Sequence, residues 1–344
     1  MDVTFSDEQQ DLRALIRDVL AKDGSPDALW KRLSGELGLT GLTIGERHGG
    51  AGASTVELGI VLDELGAALG AVPFLQNAVA GSVLDSSGSA EAAEVLPAIA
   101  AGERVAGLAA PGGPAPAATA AADGLRLTGT LEHVVDGPRL DLLVTPALLD
   151  GAEVLTLVRL DAPGVDVTPL PTLDQTRPQA RITLDGATAT RIGDAAAVES
   201  AVDLMLAAVA RESAGAARAC LDLTVAYLGT RIQFGRPLGT FQALQHRCAD
   251  LAVLVESASS TAWYALWAAG ADGVVDPVSG PLAKAYCADA FRTVAGETIQ
   301  LHGGIGFTWE HPAHRYFKRA ASTDLLFGGR SWVRSRVARR AGLA

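Results

Sequence analysis

The sequence predicts an α+β protein in three parts: a helical N-terminal domain, a small middle β-domain and a C-terminal helical bundle. Two observations lead there. Apolar residues recur at helical spacing at both ends of the 344-residue chain, while Pro, Gly, Thr and Val rise and the runs shorten between about 104 and 195. Hydrophobic residues make up 49% of the chain, enough for a sizeable core. The expected boundaries are 1–103, 104–195 and 196–344.

In the first part, Ser6 and Gln9 have capping-box spacing, and Leu12, Leu15, Ile16 and Leu20 follow on one helical face. Gly49-Gly-Ala-Gly52 breaks the chain, and a second helical pattern runs from Val56 to Leu69 with Glu57, Asp63 and Glu64 among its apolar positions. In the second part, Leu125–Thr128, Leu140–Val144, Val154–Val158 and Ala180–Leu184 read as strands between turns. Pro111 to Ala122 reads as a low-complexity loop of Ala, Pro and Gly. In the third part, long helices are expected over roughly 199–231, 238–270 and 277–302, with shorter ones after 310. Loops near Gly235–Pro237 and Gly270–Pro277 separate them.

Composition excludes several function classes. A net charge of −11 argues against nucleic-acid binding, which needs a basic face. No apolar run approaches the roughly 18 residues of a membrane span. No basic stretch leads into an apolar one at the N-terminus, so a cytoplasmic protein is expected. Cys220, Cys248 and Cys287 lack metal-ligand spacing and read as buried free thiols. The one basic cluster is Lys318, Arg319, Arg330, Arg334, Arg336, Arg339 and Arg340. It reads as a solvated helix, with contact to a ligand's phosphate or a partner subunit as the alternative.

Two segments carry the functional signal: Arg231-Ile-Gln-Phe-Gly-Arg-Pro-Leu-Gly-Thr-Phe-Gln242 and Gln300-Leu-His-Gly-Gly-Ile-Gly-Phe-Thr-Trp-Glu310. Each resembles a signature segment of the acyl-CoA dehydrogenase family, and each stands at the end of an expected helix. The resemblance extends over nearly the whole chain, through Phe5-Ser-Asp-Glu-Gln-Gln, Leu37-Gly-Leu-Thr-Gly-Leu, Gly49-Gly-Ala-Gly52 and Lys284-Ala-Tyr-Cys. It implies FAD as cofactor, with Arg231, Phe234, Gln242, Gln300, Gly303 and Gly304 holding the pyrophosphate and adenine half, and His302 inside the turn as a further candidate. The physics suits that assignment. A guanidinium offers paired donors to a diphosphate, and glycines let backbone N–H groups approach phosphate oxygens. In the family these segments serve the FAD of a neighbouring subunit.

The departures from the family pattern are equally specific. Where many members place a catalytic Glu, the run Leu326-Phe-Gly-Gly-Arg-Ser331 has Gly328, and Gly329 fills an alternative Asp position. A second alternative, on the first helix of the C-terminal domain, falls on Met205. Glu212 lies two helical turns on, roughly 10 Å away, and in similar sequences is a routine helix residue. Glu310 reads as structural. The loop that usually wraps the flavin ring appears as Gly107-Leu-Ala-Ala-Pro-Gly-Gly-Pro114, and the Trp that backs the ring as His133. No catalytic residue is therefore assigned to this chain.

The resemblance then implies one subunit of a heterotetramer, similar to the actinobacterial enzymes of steroid breakdown. A homologous subunit would carry the catalytic Glu, acyl-CoA would be the substrate, and electron-transfer flavoprotein is a possible acceptor. Two alternatives stay open: a homomeric dehydrogenase with an atypical base, and a non-catalytic scaffold that binds no FAD.

Overall fold

The computed structural model describes residues 4–22, 24–109, 111–270 and 276–343. Ala110, in the expected flavin-ring loop, and 271–275, in the expected loop after Gly270, lie outside them.

Helix α1 (Asp7–Leu20) begins at the capping box foreseen from sequence: Gln9 N–H donates to Ser6 Oγ, and Gln9 Oε1 accepts from Ser6 N–H. After α2 (Pro26–Lys31), helix α3 (Thr55–Ala67) starts at a second capping box, Ser54 with Glu57. α4 (Phe74–Ser87) and α5 (Ala90–Ala100) complete the N-terminal helices. Helix α3 carries Asp63 and Glu64 into the interior, where Arg13, Arg17, Arg211 and Arg218 surround them. Buried carboxylates persist only when paired in this way.

The strands are β1 (Ala106–Leu108), β2 (Ala117–Ala121), β3 (Gly124–Val135), β4 (Leu142–Leu149), β5 (Ala152–Arg159), β6 (Val165–Leu170) and β7 (Gln179–Gly193). The pairings β4–β2, β2–β3, β3–β7, β7–β5 and β5–β4 close a ring, with β1 beside β4 and β6 beside β7. Its interior is a separate core that includes Leu127, Leu143, Val158, Ile182 and Leu184. The reading of 111–122 as loop needs correction, because β2 lies within it and pairs with β3 from Ala117↔Thr128 to Ala121↔Gly124. Alanines hide the strand: they give no apolar/polar alternation and have low strand propensity.

The C-terminal bundle is α6 (Ala195–Thr230), α7 (Gln242–Gly270) and α8 (Ser279–His302), with α9 (Ala313–Leu325) and α10 (Arg330–Arg340) packed beside it. A two-stranded hairpin, β8 (Ile232–Gln233) and β9 (Arg236–Pro237), joins α6 to α7. Asp194 caps α6 by accepting the Ala196 and Ala197 N–H groups. Two expectations change here. Cys220 and Cys287 are buried, with burial pushing the Cys287 thiol up to about 12, but Cys248 is only half-buried. The basic cluster is not one solvated face. Arg319 and Arg336 are 2% and 6% exposed and are bound to carboxylates, Arg319 to Asp174 and Glu212, Arg336 to Glu199 and Asp203.

Candidate functional site

The two signature segments meet at one end of the bundle. Helices α6 and α8 finish side by side: Tyr227 stacks on His302 with ring centroids 4.5 Å apart, and the Thr224 and Thr298 hydroxyls are 3.1 Å apart. Helix α6 stops where Arg231 turns extended, at ψ 118°. The hairpin then projects from the bundle end, with Phe234 in the left-handed region at φ 54° and 86% exposed. A bulky residue rarely adopts that backbone, and such strain is concentrated at ligand sites.

Arg231, Gln242 and Gln300 are all exposed. Their side chains have no hydrogen-bond or ion-pair partner among the described residues. Gly303 (φ 61°, ψ −140°) and Gly304 follow, and a Cβ at either would meet open space. A free guanidinium beside glycine backbone is a donor set that fits a diphosphate. The structure thus brings six of the seven candidate residues to one exposed corner. His302 differs. Its side chain is buried beneath the turn, Nδ1 donates to the Thr298 carbonyl at 2.7 Å, the ring lies 4.3 Å from that of His311, and Nε2 is buried without a partner. Phe307 and Trp309, both more than three-quarters exposed, extend the corner, and Lys318 Nζ lies 4.0 Å over the Trp309 ring. Glu310 is exposed in the same stretch.

A second region is a cleft of about 710 Å³ between the β-domain and the bundle. It collects the positions where the sequence departs from the family: Gly112 of the ring loop, His133 of β3, and Gly328 and Gly329 of the turn between α9 and α10. Val198, Val202 and Glu199 reach it from α6, whereas Met205 is fully buried further along that helix. The carboxylates on its wall are Glu132, Glu153 and Glu199. Glu132 is bound to Arg181, and Glu199 to Arg336 and Arg340. The two clefted guanidiniums, Arg330 and Arg336, are likewise bound to carboxylates of this chain. Among the described residues lining this region, neither guanidinium is free for a phosphate.

Glu212 does not face solvent or the cleft. It is 6% exposed and lies between Arg177 and Arg319 Nη1, the latter at 3.3 Å. Arg319 continues to Asp174 at 2.6 Å, and Arg177 to Thr323 Oγ1 at 3.3 Å. Asp136, on the β-domain side of this seam, is fully buried and its pKa is pushed up to about 7 by burial, against the pull of Arg177 and Arg139. On α8, burial lowers Lys284 to about 8, with its Nζ 3.4 Å from the Asp324 carbonyl. Sequence reasoning missed Asp136, Asp174, Arg177 and Lys284. The buried ion network of Asp136, Asp174, Arg177, Glu212 and Arg319 leaves no local pattern, because its members come from four separate segments.

With this geometry in place, the kinship is plain. The sequence profile of the acyl-CoA dehydrogenase N-terminal domain matches residues 6–103, and that of the C-terminal domain matches residues 195–342. The chain belongs to the acyl-CoA dehydrogenase family. It is similar to the acyl-CoA dehydrogenase IpdE2 of Mycolicibacterium smegmatis, at 35% identity over 94% of this chain and 96% of the relative. It is also similar to the acyl-CoA dehydrogenase FadE34 of Mycobacterium tuberculosis, at 36% identity over 91% of this chain but 42% of the longer relative. Among solved structures it resembles a chain of the Tcur3481–Tcur3483 steroid acyl-CoA dehydrogenase, with TM-score 0.91 and 31% identity over 97% and 98% of the two chains. It likewise resembles a chain of the ChsE4–ChsE5 complex from Mycobacterium tuberculosis, with TM-score 0.89 and 29% identity over the whole of both chains.

Proposed function

We propose that this chain is the non-reacting subunit of a heteromeric FAD-dependent acyl-CoA dehydrogenase. It supplies the pyrophosphate and adenine side of a FAD site whose catalytic Glu belongs to a homologous partner, in an α2β2 assembly. The observation that carries this reading is the contrast within one chain: Arg231, Gln242 and Gln300 are unpaired beside an open glycine turn, while Gly328 offers no proton acceptor. The two solved assemblies named above carry the names of two different components each, and one is a steroid enzyme. Both support a heteromer, and the first supports a bulky, steroid-derived acyl-CoA as substrate.

The reaction is α,β-desaturation of a CoA thioester. The thioester acidifies the α-proton, which passes to the partner's carboxylate. FAD, when bound, supplies the acceptor for the hydride leaving the β-carbon. Arg231 holds the diphosphate through charge-assisted hydrogen bonds. Gln242 and Gln300 offer amide donors, the Gly303–Gly304 backbone allows close approach, and Phe234 presents a ring face to the adenine. His302 supports the turn from beneath. Electron-transfer flavoprotein is the proposed oxidant of the reduced complex, and the cytoplasm its site. Among the described residues no helix is long and apolar enough to cross a membrane.

Expression with and without a homologous partner tests this reading. The chain alone should be colourless and inactive, and the co-purified complex yellow, with flavin on about half of its protomers. Turnover by the pure chain above about 1 s⁻¹ with an artificial electron acceptor would sink it.

A further inference from the structure

The turn that lacks the carboxylate is unusual in its backbone as well as in its sequence. Phe327, Gly328 and Gly329 are three consecutive residues at positive φ: 56°, 93° and 44°. Residues with a Cβ rarely enter that region, and not in succession. A Cβ at Gly328 would collide with Trp332 Cε3 and lie 2.8 Å from Cζ3 and 3.1 Å from Cδ2. The indole therefore stands where any side chain at 328 would begin.

Trp332 is held from both sides. From the β-domain, Gly112 closes on the turn so tightly that its own Cβ would be 3.0 Å from Gly328 Cα and 3.6 Å from Trp332 Cγ. From α10, the Arg336 guanidinium carbon lies 5.3 Å from the Trp332 ring centroid, and Arg336 is anchored to Glu199 and Asp203. The ends of the turn are tied as well. Arg330 binds Asp324 at 3.0 Å and Asp289 at 2.5 Å, and Lys284 Nζ meets the Asp324 carbonyl.

We infer that Trp332 is a wedge that decides which subunit can react. Packed between Gly328 and the Pro111–Gly113 loop, it occupies the position from which a proton-accepting side chain would enter this chain's own cleft. The division of labour is then set by a rebuilt turn, not by one absent carboxylate. Restoring Glu at 328 does not restore a base. This inference rests on the assignment of 328 as the base position made above.

The test is a cycle of variants in the complex. Gly328→Ala should lower the melting temperature by roughly 4 °C or more, and Trp332→Ala in the same chain should recover at least half of that loss. Gly229→Ala, on α6 with open space around its Cβ, is the control and should not lower it. The functional arm uses a partner whose catalytic carboxylate has been changed to its amide. In that background Gly328→Glu alone should give no turnover. Turnover from Gly328→Glu alone overturns the wedge, as does a Gly328→Ala loss that Trp332→Ala leaves unchanged. The melting arm needs no flavin. A complex that lacks FAD yet shows the rescue would therefore end the proposed function and leave the Trp332 contact as packing alone, without a role in reactivity.

Discussion

The exposed corner at the ends of α6 and α8 and the cleft at the α9–α10 turn contain the same kinds of residue, glycine, arginine and aromatic, in opposite conditions. At the corner the glycines border empty space, Arg231 is unpaired and Phe234 stands 86% exposed. At the cleft Gly328 is pressed against Trp332, and Arg330 and Arg336 are committed to carboxylates of their own chain. Exposed aromatics clustered with donors free of intrachain partners mark a surface open to a ligand or partner, whereas paired charges and filled space are satisfied within the chain itself. Under the proposed function the corner awaits a group this chain does not supply, while the turn is packed within the chain. Substitutions at the two regions should accordingly separate binding from stability.

The largest effect should come from the seam that supports the cleft. Glu212→Gln removes half the charge balance of Arg177 and Arg319, both buried. Breaking such a network costs about 3–5 kcal/mol, a fall in melting temperature of roughly 5 °C or more. Turnover per bound flavin should stay within a few-fold of the parent, because Glu212 takes no proton. Abolished turnover in a folded, flavin-loaded Glu212→Gln complex would place the base on this chain and erase the contrast drawn above.

Next in size is Arg231→Ala, with the opposite signature. The melting temperature of the flavin-free chain should move little, since the exposed guanidinium has no hydrogen-bond or ion-pair partner among the described residues. FAD affinity of the complex should fall about tenfold to hundredfold, the worth of roughly 1.5–3 kcal/mol of charge-assisted bonding. Titration of the apo-complex with FAD, followed by flavin fluorescence, reads this directly. Unchanged affinity would mean that the corner serves another ligand.

How much of this contrast was legible in the sequence follows from the range of each interaction. The Ser6–Gln9 capping box is complete within three residues and could be read directly, and Ser54–Glu57 was equally readable. The corner was legible because its residues sit at fixed offsets from two helix ends. Arg319 was misread as a solvated cation because its partner Asp174 is 145 positions away, on a loop of the β-domain. The loss of a side chain at Gly328 was visible, but its cause was not. Only the fold shows Trp332 turned back over position 328 and Gly112 closing from a distant loop. Strand β2 was hidden by its alanines, since backbone pairing with β3 and not side-chain pattern defines it.

A pH-dependent effect of comparable size belongs to Asp136. Its pKa in the fold is about 7, against roughly 4 when unfolded. Between those values the native state holds more protons than the unfolded one, so this group's contribution is complete below about pH 4 and is lost as pH rises through 7. Asp136→Asn stays neutral, and asparagine tolerates the left-handed backbone at φ 57°. The variant's melting temperature relative to the parent should therefore rise from pH 5 to pH 8. An equal difference at both pH values would show that Asp136 is ionised throughout, held by Arg139 and Arg177.

The smallest effect on stability should come from Phe234→Ala. Its ring is 86% exposed and meets the Phe241 ring edge-on at 6.0 Å, and its backbone is already strained at φ 54°. Alanine at positive φ relieves little of that strain, and an exposed ring contributes little burial, so the melting temperature should stay within about 1 °C of the parent. FAD affinity should still fall, by less than for Arg231→Ala, because a ring face against adenine contributes about 1 kcal/mol where the guanidinium contributes more. The two losses should combine to no more than their sum, since both act on one dinucleotide half. A Phe234→Ala chain that loses stability without losing FAD would show that the hairpin is a structural prop, and that the openness of the corner has a cause other than a cofactor.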